Sequence, residues 1–184
     1  RRRRRTAFAV AAGAALLGAT AVAQATGVLA VGKPIQTLMP GADRERLSRY
    51  RAPQGATLSV TAQDPHYRHA WGVGVYTSAE GKDCAIAGHV LGTRLGRERD
   101  GRFHPYGRDV TGTCGDLDQL GQMHDLLMID GPSPRTVVYG RTTKPGLVEF
   151  RYRGHRKAAQ PGYGGAFLLV FDGAVAAGDL RLVE

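Results

Sequence analysis

The chain has 184 residues, 42% of them apolar and 22% charged, with 26 glycines and two cysteines. These proportions exclude a disordered or fibrous chain and suit one ordinary domain with its own core. The formal charge of +9 falls to +4 once Arg1 to Arg5 are set aside, because 20 basic side chains then face 16 acidic ones; that balance favours anionic surfaces but argues against a nucleic-acid partner.

Residues 1–31 carry the strongest signal. Five arginines run into an uncharged stretch, Ala7 to Val31, the order of features that an export machinery reads, with the basic head left on the cytoplasmic side. At the rise of an α-helix the stretch is roughly 37 Å long, enough to cross a ~30 Å hydrocarbon core. Ala21-Val22-Ala23 and Ala23-Gln24-Ala25 have the small-x-small form cut by signal peptidase, but the length favours a retained single-pass anchor. The expected location is the cell membrane with the domain outside the cytoplasm, or secretion if the leader is cleaved.

Residues 32–55 read as a connector. Pro34, Pro40 and Gly41 stop the preceding helix, and a short helix capped by Asp43 is expected over 43–49. Residues 56–184 then turn to β patterning. Thr57 to Thr61 alternates with period two, as do Trp71, Val73 and Val75. Cys84, Ile86 and Val90 mark another strand, with a bulge expected at Gly88 and His89. The stretch from Leu117 to Ile129 is the one helical candidate, weakened by Gly121. Arg135 to Arg141, Leu147 to Arg153, Ala166 to Phe171 and Asp179 to Val183 supply further strands. The expected fold class is all-β, an antiparallel β-sandwich or barrel-like domain preceded by an N-terminal transmembrane or signal helix.

Gly146 to Val170 is the clearest hairpin region. Val148, Phe150 and Tyr152 fall on the core face, and Glu149, Arg151 and Arg153 on the other. Arg156 and Lys157 are placed in its turn. Ala166 to Phe171, almost continuously apolar, reads as a central strand buried on both sides.

Cys84 and Cys114 both follow the leader, and an isolated pair in an oxidising space is expected to form a disulfide. His66 and His69 stand three apart in a loop beginning at Pro65 and read as solvated side chains, so no metal and no cofactor is expected. Asp116, Asp118, Asp125 and Asp130 lack the EF-hand order, and Asp116 and Asp118 are explained by a capped helical turn. Ser48, Ser59, Ser78 and Ser133 occupy no nucleophile motif. The strongest surface feature is basic: Arg141, Lys144, Arg151, Arg153, Arg156 and Lys157, interleaved with Tyr152 and Tyr163. An edge of this kind suits phospholipid headgroups, an anionic envelope polymer or an acidic protein partner. It also suits a sheet edge guarded against strand addition.

From Trp71 to Gly115, the residues Trp71, Gly72, Gly81, Cys84, Gly92, Leu95 and Gly96, then Gly101 to Pro105 and Cys114, form a spaced pattern. Val138 to Gly140 and Gly165 to Leu168 continue it. This pattern resembles a group of uncharacterised exported or membrane-anchored proteins of high-GC actinobacteria, and the resemblance implies no activity. The functional expectation is a membrane-tethered, extracytoplasmic β domain that binds or builds the envelope without catalysis. The alternative is a cell-envelope hydrolase with a site around His89, His104 and an aspartate.

Overall fold

The computed structural model describes residues 30–35, 51–52 and 55–183. The anchor expected over 1–31 and the helix expected over 43–49 lie almost wholly outside them. Among the described residues no helix is long and apolar enough to cross a membrane.

The described residues form thirteen strands, in chain order β1 (Ala30–Val31), β2 (Thr57–Gln63), β3 (Ala70–Thr77), β4 (Asp83–Leu91), β5 (Arg94–Arg99), β6 (Arg102–Pro105), β7 (Thr113–Gly115), β8 (Gln122–Ile129), β9 (Arg135–Thr142), β10 (Val148–Tyr152), β11 (His155–Ala159), β12 (Ala166–Asp172) and β13 (Leu180–Val183). They form three sheets ordered β1-β6-β5-β4-β3-β2 with β7 on β4, β12-β9-β8, and β11-β10-β13. The class is all-β, and the sheets stack rather than close into one barrel.

Side-chain alternation dictates the stacking. Along β9 and β12, Val137, Tyr139, Ala166, Leu168 and Val170 join the core formed by Trp71, Val73, Val75, Ala85 and Ala87 of β3 and β4. Val138, Phe167, Leu169 and Phe171, pointing the other way, join Val148 and Phe150 of β10. The β12-β9-β8 sheet is therefore the middle layer, covered on both faces, as the unbroken apolar run in β12 requires. A third core of Ala52, Tyr76, Cys84, Ile86, Leu95 and Val110 lies on the outer face of β3 and β4. On that face the alternate positions of β3 are glycines. A Cβ on Gly72 would come within 2.5 Å of Val90, and one on Gly74 within 2.6 Å of Leu95.

The structure corrects several expectations. β4 runs through Gly88 and His89 in unbroken register with β3; the irregularity is in β2, between Leu58 and Val60. It re-aims the strand, so that Leu58 packs into the third core and Val60 into the first. The helix expected over 117–129 is only α1 (Leu117–Leu120), capped by the Asp116 side chain and ended by Gly121 at φ 68°; residues 122–129 pair with β9 as a strand. The hairpin that begins at β10 turns at Arg153 (φ 48°) and Gly154 (φ 82°), a two-residue loop with positive φ at both positions. Arg156 and Lys157 thus lie on a strand, β11, and not in the turn. The described part of the connector is built into the domain: Gly32 N–H donates to Phe103 O at 2.6 Å, Ile35 N–H to Pro105 O at 2.8 Å, and Ala52 is fully buried.

Candidate functional site

The β11-β10-β13 sheet turns its inner face, Val148, Phe150, Leu180 and Leu182, to the second core. Alternation then sends Arg151 outward. Its partners in register are Arg156 on β11 and Arg181 on β13, and directly paired residues share a face. Three arginines therefore cross the sheet in one row, all exposed, on strands spaced about 4.8 Å apart. Directly opposed like charges weaken a sheet, by up to about 1 kcal/mol per pair. Glu149 relieves one end of the row, with Oε1 3.2 Å from Arg156 Nη1. Arg151 and Arg181 have no carboxylate partner among the described residues. The row offers planar, permanently charged donors suited to phosphate or carboxylate oxygens.

The structure divides the six basic residues singled out from the sequence. Arg151 and Arg156 belong to the row. Arg153 stands beside it in the turn, its guanidinium 5.1 Å from the centre of the Tyr152 ring. Lys157 is paired with Phe150 and so points to the inner side; its amine donates to Val170 O on the open edge of β12 and sits 5.2 Å from the Phe171 ring. That is the inward charge that guards a sheet edge. Arg141, at the end of β9 in the middle sheet, has Nη1 2.8 Å from Asp83 Oδ1 and donates from Nε to Gly164 O at 2.8 Å. Lys144 lies on the β9–β10 loop and lines a separate cavity with Gln122, Pro145 and Leu147. Arg181 was missed. Its strand was legible, but not the pairing that brings it beside Arg151.

Cys84 and Cys114 are directly paired across β4 and β7 and form a disulfide, with Cα atoms 4.1 Å apart.

The hydrolase alternative needs His89 and His104 to converge, and strand parity separates them. His89 pairs with Gly96, which pairs with Pro105, so His104 points to the opposite face. His104 Nδ1 instead lies 2.9 Å from Lys33 O. His89 leans on Trp71 with ring centres 4.1 Å apart. Burial pushes it down to about 4, and His69, Arg135 and Arg97 add to the shift against the pull of Asp64. Its Nδ1 accepts a long bond from Glu98 N–H at 3.4 Å, and its buried Nε2 has no hydrogen-bond partner. His66 Nε2 lies 2.7 Å from Asp172 Oδ1 in an exposed pair. Among the described residues no serine or threonine hydroxyl is bonded to a histidine, and no group of three or more His, Cys, Asp or Glu side chains is placed to hold a metal.

Asp64, which is not among the sequence-derived candidates, has a fully buried carboxylate. Oδ1 accepts from His66 N–H at 2.8 Å and Tyr67 N–H at 3.0 Å, and Oδ2 from Trp71 Nε1–H at 2.7 Å. Arg135 Nε stands 2.8 Å from Oδ2, as an ion pair rather than an aligned hydrogen bond. This cluster ties the β2–β3 loop to β9 and has the character of a structural clamp.

Comparison with protein-family models, with curated proteins and with solved structures finds no match to this chain.

Proposed function

We propose that this protein is an extracytoplasmic β domain, tethered by its N-terminal segment, that binds a phosphate-bearing anionic surface of the cell envelope without catalysing a reaction. The observation that carries the reading is the row Arg156, Arg151 and Arg181 across one exposed sheet face. A sheet gains nothing in stability from opposing like charges, whereas a polyanion laid across the strands would neutralise Arg151 and Arg181, the two that no carboxylate partners among the described residues. The Cys84–Cys114 disulfide supports an oxidising compartment. The basic head and apolar stretch at the N-terminus support the tether.

Phospholipid headgroups and phosphodiester wall polymers share the required chemistry. The test passes the full chain, in a zwitterionic detergent, over immobilised poly(glycerol phosphate), with phosphatidylglycerol mixed micelles as competitor. Expected is retention that falls steeply with salt, and a loss of at least about tenfold in affinity, or ~1.4 kcal/mol, in the Arg151→Glu/Arg181→Glu double variant. The control Arg94→Glu/Arg102→Glu, on β5 and β6, should bind like the parent. Competition by the micelles at equal phosphate assigns the headgroup; weak competition assigns the polymer. Undiminished binding by the Arg151/Arg181 double variant would overturn the proposal.

A further inference from the structure

A cavity elsewhere in the domain shares no lining residue with the arginine row. The end of β3, the start of β2, the end of β9 and the turn at Tyr163–Gly165 line a half-open cavity of about 530 Å³, a volume typical of small-ligand sites. Its lining includes Thr57, Thr77, Tyr76, Arg141, Tyr163 and Gly164.

Arg141 is fixed there at two of its three nitrogens. Nη1 is held by Asp83 at 2.8 Å and Nε by Gly164 O at 2.8 Å, which leaves Nη2 without a partner among the described residues. Asp83 offsets its charge, so the site offers N–H donors with little net attraction for an anion. The hydroxyls of Thr57 and Thr77 add groups that both donate and accept. Tyr163 lines the mouth and is 73% exposed. Its position is imposed by the fold. Ser59, at the irregularity of β2, donates from Oγ to Tyr163 O at 2.6 Å, and Gly164 takes φ 64° to complete the turn. A Cβ at Gly164 would come within 3.3 Å of Val75 and 3.5 Å of Arg141 Nη2, so the turn packs against Val75 with the guanidinium in ordinary contact.

An exposed aromatic face, neutral overall charge and several mixed donors and acceptors around a mid-sized cavity describe what a sugar ring needs. The axial C–H groups of a pyranose carry slight positive charge and stack on the electron-rich face of an aromatic ring, while its hydroxyls need donors and acceptors in turn. An anionic ligand would gain little from a guanidinium already paired with Asp83, and an apolar one would leave the threonine hydroxyls and Nη2 unpaired. We infer that this cavity is a binding site for a short neutral saccharide, with Tyr163 as the stacking platform and Arg141 and Thr77 as the hydrogen-bonding groups.

The test uses the full chain in a detergent without sugar headgroups, with chitotriose as neutral probe and trigalacturonate as charged probe, followed by saturation-transfer NMR and equilibrium dialysis. Expected is saturable chitotriose binding that weakens about tenfold or more in Tyr163→Ala and is kept within about twofold in Tyr163→Phe. Thr77→Val, which keeps the shape and removes the hydroxyl, should weaken it about threefold to tenfold. The Arg151→Glu/Arg181→Glu variant should bind chitotriose like the parent, which separates this site from the arginine row. Absence of saturable chitotriose binding, an unchanged affinity in Tyr163→Ala, or tighter binding of trigalacturonate than of chitotriose would overturn the inference.

Discussion

Asp64 organises the end of the first sheet from a single buried carboxylate. It takes two backbone N–H groups, the indole N–H of Trp71 and the guanidinium of Arg135. A buried charge held this way is far more expensive to break than it was profitable to form, since losing one partner strands the other. Asp64-Pro65 could have been recognised as a side chain that bonds the backbone of its own turn. Arg135 could not, because nothing local ties it to a carboxylate 71 positions earlier in the chain. His89 stands near the same cluster, and its depressed value makes a prediction with a definite sign. The unfolded chain takes up a proton on this ring below about pH 6.5, while the folded protein resists until about 4. His89 therefore has no effect on stability above pH 6.5 and lowers it progressively as pH falls from 6.5 to 4, by up to roughly 3 kcal/mol. Urea unfolding of the parent and of His89→Gln, measured across that range, should show the steeper acid loss in the parent. Equal slopes would mean that burial against Trp71 does not hold the ring neutral.

At the scale of the element, the inner face of β10 was legible from alternation alone, and Val148 and Phe150 are buried where the pattern placed them. The turn was not, because arginine is an unusual occupant of a positive-φ position and only Gly154 announces it. By contrast, Asp100-Gly101, between β5 and β6, is a strong two-residue hairpin signal legible in the sequence alone. In the segment 122–129 the apolar residues Met123, Leu126 and Leu127 stand at a spacing that also fits a helix, and there the pairing with β9 decides the outcome over local preference. The arginine row carries its own prediction about stability. If Arg151 is opposed on both sides by like charge, Arg151→Thr should raise stability by a few tenths to about 1 kcal/mol. The gain should be large near 0.01 M salt, where charges act over ~30 Å, and should vanish near 1 M, where they act over ~3 Å. Thermal melts at both salt concentrations measure this directly. A gain that ignored salt would indicate packing or strand propensity and remove the electrostatic argument for the row.

For the whole molecule, the middle layer is the part most fully dictated by sequence. The apolar run of β12 admits no exposed face, and the structure covers both. The third core is the opposite case. It depends on residues 105–115 folding back over β4, and that path was invisible in the local pattern because β7 has only three residues. What secures it is the bond from Cys84 to Cys114, which closes a separation of 30 residues and is worth about 3–4 kcal/mol in the chain-entropy account. The Tyr76 hydroxyl, which accepts from Gly112 N–H at 2.7 Å, the Tyr106 hydroxyl, which donates to Ala87 O at 2.9 Å, and the short β4–β7 pairing are further fastenings of this cover. Replacing both cysteines by alanine should therefore lower stability by about 3 kcal/mol. It should also do so unevenly. Amide exchange should quicken first in 105–115 and at the facing end of β4, while β9 and β12, enclosed between two cores, keep their protection. Hydrogen-exchange mass spectrometry on the oxidised parent and the double alanine variant reads both effects. Uniform loss of protection through all three sheets would show that the bond supports the global fold and not this cover.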